Sequence, residues 1–268
     1  SPSLLVLLSH DSPSRVKPRL LTFSDAASII DTMHTLSRKQ REIQQREQQI
    51  LALARPMLLR DGYAGLSMDR LAVQMEYAKG TLYNHFPNKE EIVAALAIES
   101  LELRRSMFER AATLSAKSRE RMMAIGAACE QYAVACQEHF AVELLLRNAI
   151  IWEKASEKRQ QLIRSCELRA MGIVAGVVRD AVACGDLQLP EMTPEEFVFG
   201  FWALTFGSHA LIASSPSLPD IGVNDPVRSI RYHGWTLMNG YDWQPRLSFE
   251  ETDRRMHEFA ARLLHAAP

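Results

Sequence analysis

The chain has 268 residues, 47% of them hydrophobic, and only 12 Gly and 12 Pro, which suits one small and one larger domain, mostly helical and well buried. A net charge of −1 excludes a globally basic nucleic-acid binder, so any phosphate contact has to come from a local patch. Cys129, Cys136, Cys166 and Cys184 are too few and too scattered for a disulfide framework.

Residues 1–36 differ from the rest, with Pro2, Pro13 and Pro18 and frequent Ser, and read as a flexible extension. Leu4 to Leu8 is apolar but lacks a basic leader, so it makes a poor signal peptide. Met33 is the first Met. The stretch before it is therefore either a genuine extension or an upstream translation, which N-terminal sequencing from the native host would decide.

From about Ser37 a helical period appears. Ile43, Ile50, Leu51, Ala54 and Leu58 recur at three- and four-residue steps until Asp61-Gly62. Pro56 inside this helix removes a backbone bond and predicts a kink. Arg38, Lys39, Arg41, Arg46, Arg55 and Arg60 outnumber Glu42 and Glu47 over 33–60, which makes the local basic patch.

Ser67 to Glu91 follows as two short helices, a tight turn and the capped start of a long helix. Ser67 with Asp69 fits the first N-terminus, and Leu71, Ala72 and Met75 form its apolar stripe. The second helix, about Ala78 to His85, keeps Leu82 and Phe86 for packing and presents Lys79, Gly80, Thr81, Tyr83 and Asn84. Pro87 stops it, and Asn88 with Glu91 makes a capping box for a helix to about Ala112.

These residues carry a resemblance. Lys79-Gly80-Thr81-Leu82-Tyr83-Asn84-His85-Phe86-Pro87-Asn88-Lys89-Glu90, extended back through Ser67 and Asp61-Gly62-Tyr63 to about Ile50, resembles the signature of the tetracycline-repressor (TetR) family of bacterial regulators. Three positions depart from the family pattern: Glu76 stands where the turn usually has Gly, Ala78 where the reading helix usually starts with Ser or Thr, and Pro56 lies inside the first helix. The resemblance implies an all-α fold. An N-terminal three-helix helix-turn-helix DNA-binding domain over 37–90 would precede a larger helical bundle over 91–268, for ligand binding and dimerisation. It also implies double-stranded DNA with a palindromic operator as partner, a small-molecule effector and a homodimer. Repression is the expected mode, with ligand-dependent activation as the alternative.

On this reading Lys79 approaches phosphate or a guanine edge, Gly80 lets the backbone come close, and Thr81 meets phosphate or a thymine methyl. Tyr83 and Lys89 match positions that often contact phosphate in the family, and Ser67 offers a hydroxyl and an amide at a helix start. Tyr77, Asn84 and His85 complete the candidate face; Tyr77 equally packs in the turn, and His85 equally caps its helix. Lys39 and Arg41 are candidates for a flexible minor-groove arm. In isolation each would be an ordinary solvated residue, and only the full motif lifts Lys79, Thr81, Tyr83 and Lys89 above that.

Further amphipathic helices are predicted over roughly Ser118–Glu138, His139–Glu153, Glu157–Cys184, Pro194–Ser214, Asp225–Gly240 and Ser248–Ala266, with no strand period. Phe108, Met122, Met123, Tyr132, Phe140, Trp152, Met171, Trp202 and His209 are candidates for lining an effector pocket, each otherwise a core residue. In the apolar helix Pro194–Ser214, Gly200, Ala203, Gly207, Ala210 and Ser214 form one face of small residues. With Trp235 on Asp225–Gly240 they are read as a dimer interface, which the resemblance also implies.

No HExxH, GxSxG or Walker-type loop occurs, so no enzyme is expected. A helical adaptor is the rival reading. Cys136 and His139 have half a zinc spacing without a second pair, and no metal or cofactor is expected. Cys129 and Cys136 read as buried thiols rather than oxidant sensors. No run is expected to reach the roughly 20 apolar residues of a membrane helix, so the protein reads as cytoplasmic.

Overall fold

A computed structural model describes residues 37–147 and 149–265. The expected flexible extension over 1–36, with the Leu4–Leu8 run and Met33, lies outside the described residues, as does Ala266. Every regular element among the described residues is helical, so the fold is all-α. The chain divides into two units, up to Arg46 and from Glu47 onward.

The short first unit holds the start of α1 (Arg38–Gly65). Ser37 and Gln40 cap it reciprocally: Gln40 N–H donates to Ser37 Oγ at 3.2 Å, and Ser37 N–H to Gln40 Oε1 at 2.8 Å. Lys39 and Arg41 are exposed residues of this regular helix, which corrects the expectation of a flexible arm. The cap supplies the reason, because it nucleates helix ahead of both side chains.

In the second unit α1 buries Ile50, Leu51, Ala54, Met57 and Leu58. It runs on past Pro56, and its non-helical backbone falls at Gly62 instead, with φ 68° and ψ 179°. Glycine is suited to that conformation because it has no Cβ to clash. Helix α2 (Met68–Gln74) starts on Ser67, whose Oγ accepts from Arg70 N–H. It ends in a Schellman turn, with Tyr77 N–H donating to Ala72 O at 3.0 Å and Glu76 N–H to Val73 O at 3.1 Å.

That turn places Glu76 at φ 56°, a left-handed conformation that costs a side-chain-bearing residue roughly 1–2 kcal/mol. Glu76→Gly is therefore expected to stabilise the protein by about 1 kcal/mol, read as a raised melting temperature. An unchanged or lowered melting temperature would mean that the turn is not strained. Helix α3 (Lys79–His85) starts on Ala78, which makes no side-chain cap, and buries Leu82, with Phe86 buried just beyond.

Helix α4 (Lys89–Ala111) starts on Asn88, whose side chain accepts from Glu91 N–H at 2.8 Å. Only this half of the expected capping box forms. Glu91 turns away to accept from Ser156 N–H and from Arg159 Nε, so a tertiary contact takes the carboxylate that the local box would have used.

Then come α5 (Ser118–Ala135), α6 (Gln137–Leu146), α7 (Ala149–Lys154) and α8 (Glu157–Ala183). The single helix expected over His139–Glu153 is thus two. The chain leaves the helix at Arg147, whose N–H reaches back to Leu144 O at 3.2 Å while its guanidinium pairs with Glu167 at 3.1 Å. Helix α8 stops at Gly185, φ 78°, with Asp186 N–H donating to Ala181 O.

Helix α9 (Pro194–Ser214) starts on a complete Thr193–Glu196 capping box with Pro194 at its first position. At 21 residues and a mean hydropathy of 1.4 it is long and apolar enough to cross a membrane, against the expectation that no run is. Its only charges, Glu195 and Glu196, are confined to the first turn. Helices α10 (Pro226–Gly240) and α11 (Phe249–His265) close the chain.

Two buried clusters hold the second unit together. One joins α1 to α3 with the first half of α4 and with Leu146, Ile151, Ile163 and Cys166. The other fills the bundle of α5, α8, α9 and α11 around the end of α4. Helices α2 and α3 are thereby packed on the same long helix that enters the second core.

Candidate nucleic-acid interface and ligand cavity

Helix α3 turns Leu82 inward and leaves Lys79, Gly80, Tyr83 and Asn84 exposed, with Thr81 half-buried. Lys79 Nζ pairs with Asp69 at 2.9 Å, which raises its pKa through that hydrogen bond and charge. A Cβ at Gly80 would meet nothing within 4 Å, so no packing inside the chain demands glycine there. Tyr77 is half-buried, its hydroxyl donating to Gln49 at 3.4 Å. Ser67 is half-buried and engaged as a cap.

Two candidates sit differently from the sequence expectation. Lys89 is half-buried and donates to Tyr63 O at 2.9 Å with its ammonium 4.1 Å from the Tyr63 ring centre, so it is held against Tyr63. Tyr63 in turn donates to Glu90 at 2.6 Å, which fixes the start of α4 against α1. His85 is largely covered, with Nδ1 3.9 Å from Glu47, and the helix end is capped instead by Phe86 N–H on Leu82 O. Arg60 of the basic patch and Arg70, which the sequence reading did not name, both pair with Asp61. Arg60 and Arg70 hold the Asp61 carboxyl down at about 2 against its partial desolvation, Arg60 being the largest influence.

A cavity of about 430 Å³ opens within the helical bundle. Phe108 comes from α4, Met122, Met123 and Tyr132 from α5, Phe140 from α6, Met171 from α8, and Trp202 and His209 from α9. Trp152 is the exception. It packs against the other cluster, with Arg164 5.4 Å from its ring, because α7 lies on α4 beside that cluster. Trp235, expected at a dimer interface, lines the cavity and donates from Nε1 to Leu247 O at 2.8 Å.

Polar residues of the wall were invisible to a search for apolar side chains. Arg104 pairs with Glu143, which is 0% exposed, and Tyr132 donates to the same carboxylate at 3.2 Å. Arg231 pairs with Glu130 and Asp253. Burial pushes the Cys129 thiol up to about 11 and also raises Cys136, so both stay protonated and unreactive at neutral pH. His139, which shares half a zinc spacing with Cys136, has its Nδ1 3.0 Å from Ser100 Oγ and 3.3 Å from Arg55.

A polar seam runs from this wall to α1. Tyr132 O–H also donates to Ser100 O at 3.2 Å, Ser100 Oγ meets His139, and Arg55 of α1 pairs with Glu99 at 2.8 Å. The small-residue face of α9 leaves Gly200, Ala203 and Ser214 exposed, with Gly207 and Ala210 half-buried. A Cβ at Gly200 or Gly207 would meet nothing within 4 Å, and Phe199 and Leu211 are 59% and 60% exposed.

Residues 50–96 match the family described as "Bacterial regulatory proteins, tetR family". They carry the TetR-family helix-turn-helix domain. Over 71–73% of its length the chain has the fold of TetR-family transcriptional regulators of known structure, as three of them show. A bacterial regulatory protein in the tetR family from Rhodococcus RHA1 is 15% identical, with a TM-score of 0.57 over 73% of this chain and 96% of that one. The TetR family transcriptional regulator PfmR from Thermus thermophilus is 18% identical, with a TM-score of 0.54 over 71% and 97%. The ketosteroid transcriptional regulator KstR2 of Mycobacterium tuberculosis is 16% identical, with a TM-score of 0.53 over 73% and 94%. No curated protein matches the chain in sequence.

Proposed function

We propose that this TetR-type protein is a homodimeric repressor that binds a palindromic operator through α3 and is released by a small-molecule effector held in the bundle cavity. The observation that carries the reading is the division of α3: Leu82 is fully buried while Lys79, Gly80, Tyr83 and Asn84 stand outside. A single short helix reads only a few base pairs, so two copies related by a two-fold axis are needed for a specific site. The exposed face of α9, with its small residues and uncovered Phe199 and Leu211, supports a second copy as its cover. A dimer that covers α9 also accounts for its apolarity without a membrane. The seam from Tyr132 through Ser100 and His139 to Arg55 supports a physical link between an occupied cavity and the angle of α1. Such a protein works in the cytoplasm, on DNA.

Selection from a random duplex library at fixed salt tests this. A palindrome is expected from the native chain. Lys79→Ala should weaken binding to all sequences and lower the salt slope by about one. Gly80→Ala should leave the melting temperature equal or higher yet weaken binding, since only an outside partner crowds that position. Failure to enrich any sequence at low salt would sink the reading in favour of a helical adaptor.

A further inference from the structure

Most polar atoms of the cavity wall are already paired; among the described residues Arg104 Nε and His209 Nε2 are the buried ones that are not. Arg231 is neutralised by Glu130 and Asp253, Arg104 by Glu143, and Trp235 Nε1 is spent on Leu247 O. Thr205 Oγ1 donates to Phe201 O at 2.9 Å. Arg164, at the cavity edge, is exposed to water.

His209 differs. It is 5% exposed and lines the cavity, its Nδ1 lies 2.7 Å from Thr205 O, and its Nε2 has no partner among the described residues. A carbonyl only accepts, so Nδ1 carries the proton that bonds Thr205. Burial lowers the pKa of His209, so the ring is neutral and Nε2 presents a bare lone pair. A buried acceptor left unpaired is costly, and its natural complement is a donor brought by the ligand.

The kind of donor follows from the rest of the wall. A carboxylate would set its own lone pairs against Nε2 and bury a charge in an apolar space. An ammonium would donate, but the acidic groups of the wall that might balance it, Glu130 and Glu167, are already engaged with Arg231 and Arg147, as Glu143 is with Arg104. An amide would donate and leave its carbonyl in need of a further partner. A hydroxyl satisfies Nε2 without adding charge.

We infer that the cavity takes an uncharged, mainly apolar molecule bearing a hydroxyl group, an alcohol or a phenol, which donates to Nε2 of His209. This rests on the effector-binding reading and names its ligand class.

The full chain is titrated with para-phenylphenol, with its methyl ether and with biphenyl carboxylate, following the fluorescence of Trp202 and Trp235 in the wall. The phenol is expected to bind about tenfold tighter than the ether. That preference should vanish in His209→Phe and persist in His209→Gln, whose amide oxygen still accepts; melting curves check that both variants fold. Equal binding of phenol and ether to the native chain would overturn the inference. So would a preference that survives in His209→Phe, tightest binding by the carboxylate, or binding of no probe. Binding is read without DNA. A chain that discriminates the phenol but enriches no operator therefore defeats the regulator reading alone, and one that reads an operator but does not discriminate defeats this inference alone.

Discussion

Trp243→Ala is expected to destabilise the protein by about 3–5 kcal/mol, the range for emptying a fully packed aromatic site. Trp243 lies between α10 and α11 and is 0% exposed. Its ring centre is 5.8 Å from that of Phe197, and its Nε1 donates to Ser118 Oγ at 3.0 Å. Ser118 passes the chain of bonds on to Asp186 at 2.6 Å, and the Trp243 carbonyl accepts from the buried Arg119. One residue thus ties the start of α5, the turn after α8 and the end of α10. Alanine removes the packing and leaves Ser118 without its donor. Trp243→Phe keeps most of the volume and should cost only about 1–2 kcal/mol. Urea unfolding of both variants checks this, and a loss below about 1 kcal/mol for the alanine would refute the role assigned to the indole.

Glu143→Leu should cost a comparable about 3–5 kcal/mol, for an electrostatic reason. The carboxylate is fully enclosed and faces Arg104, with Tyr132 donating to it and Arg147 at 3.8 Å. Burial pulls its pKa upward while Arg104 and Arg147 draw it back, so the ionised form depends on those neighbours. Removing the acid strands the Arg104 guanidinium beside an apolar cavity. The double change Arg104→Met with Glu143→Leu removes both charges and should recover most of the loss, because a buried pair often contributes little net stability over a well-packed apolar replacement. If the double variant is no more stable than the single one, the loss comes from packing and not from a stranded charge.

The reading unit was legible in the sequence because its signals are local. Ser67, Asn88, Pro87 and the Leu82–Phe86 spacing specify caps, a stop and an inward face within a few residues of one another. The departures at Glu76 and Ala78 were equally legible. The structure shows the left-handed backbone at one and the missing cap at the other. Local signals misled where a distant group competed. Glu91 left its own helix cap for Ser156, Lys89 turned to Tyr63, and Arg147 broke a predicted helix while pairing with Glu167. None of those partners lies close by in the chain, so no pattern in the neighbourhood announces them.

By itself, then, the sequence determined an all-α chain, the place and polarity of the reading helix, and the apolar, small-residue character of α9. These follow from periodicity, capping and composition, which act along the chain. Only the tertiary structure decided that Trp235 lines the cavity and Trp152 does not, that Arg104 and Glu143 are enclosed together, and that His209 keeps one nitrogen unpaired. Those are properties of which helices meet, and a buried charge or lone pair has meaning only once its neighbours across the core are known.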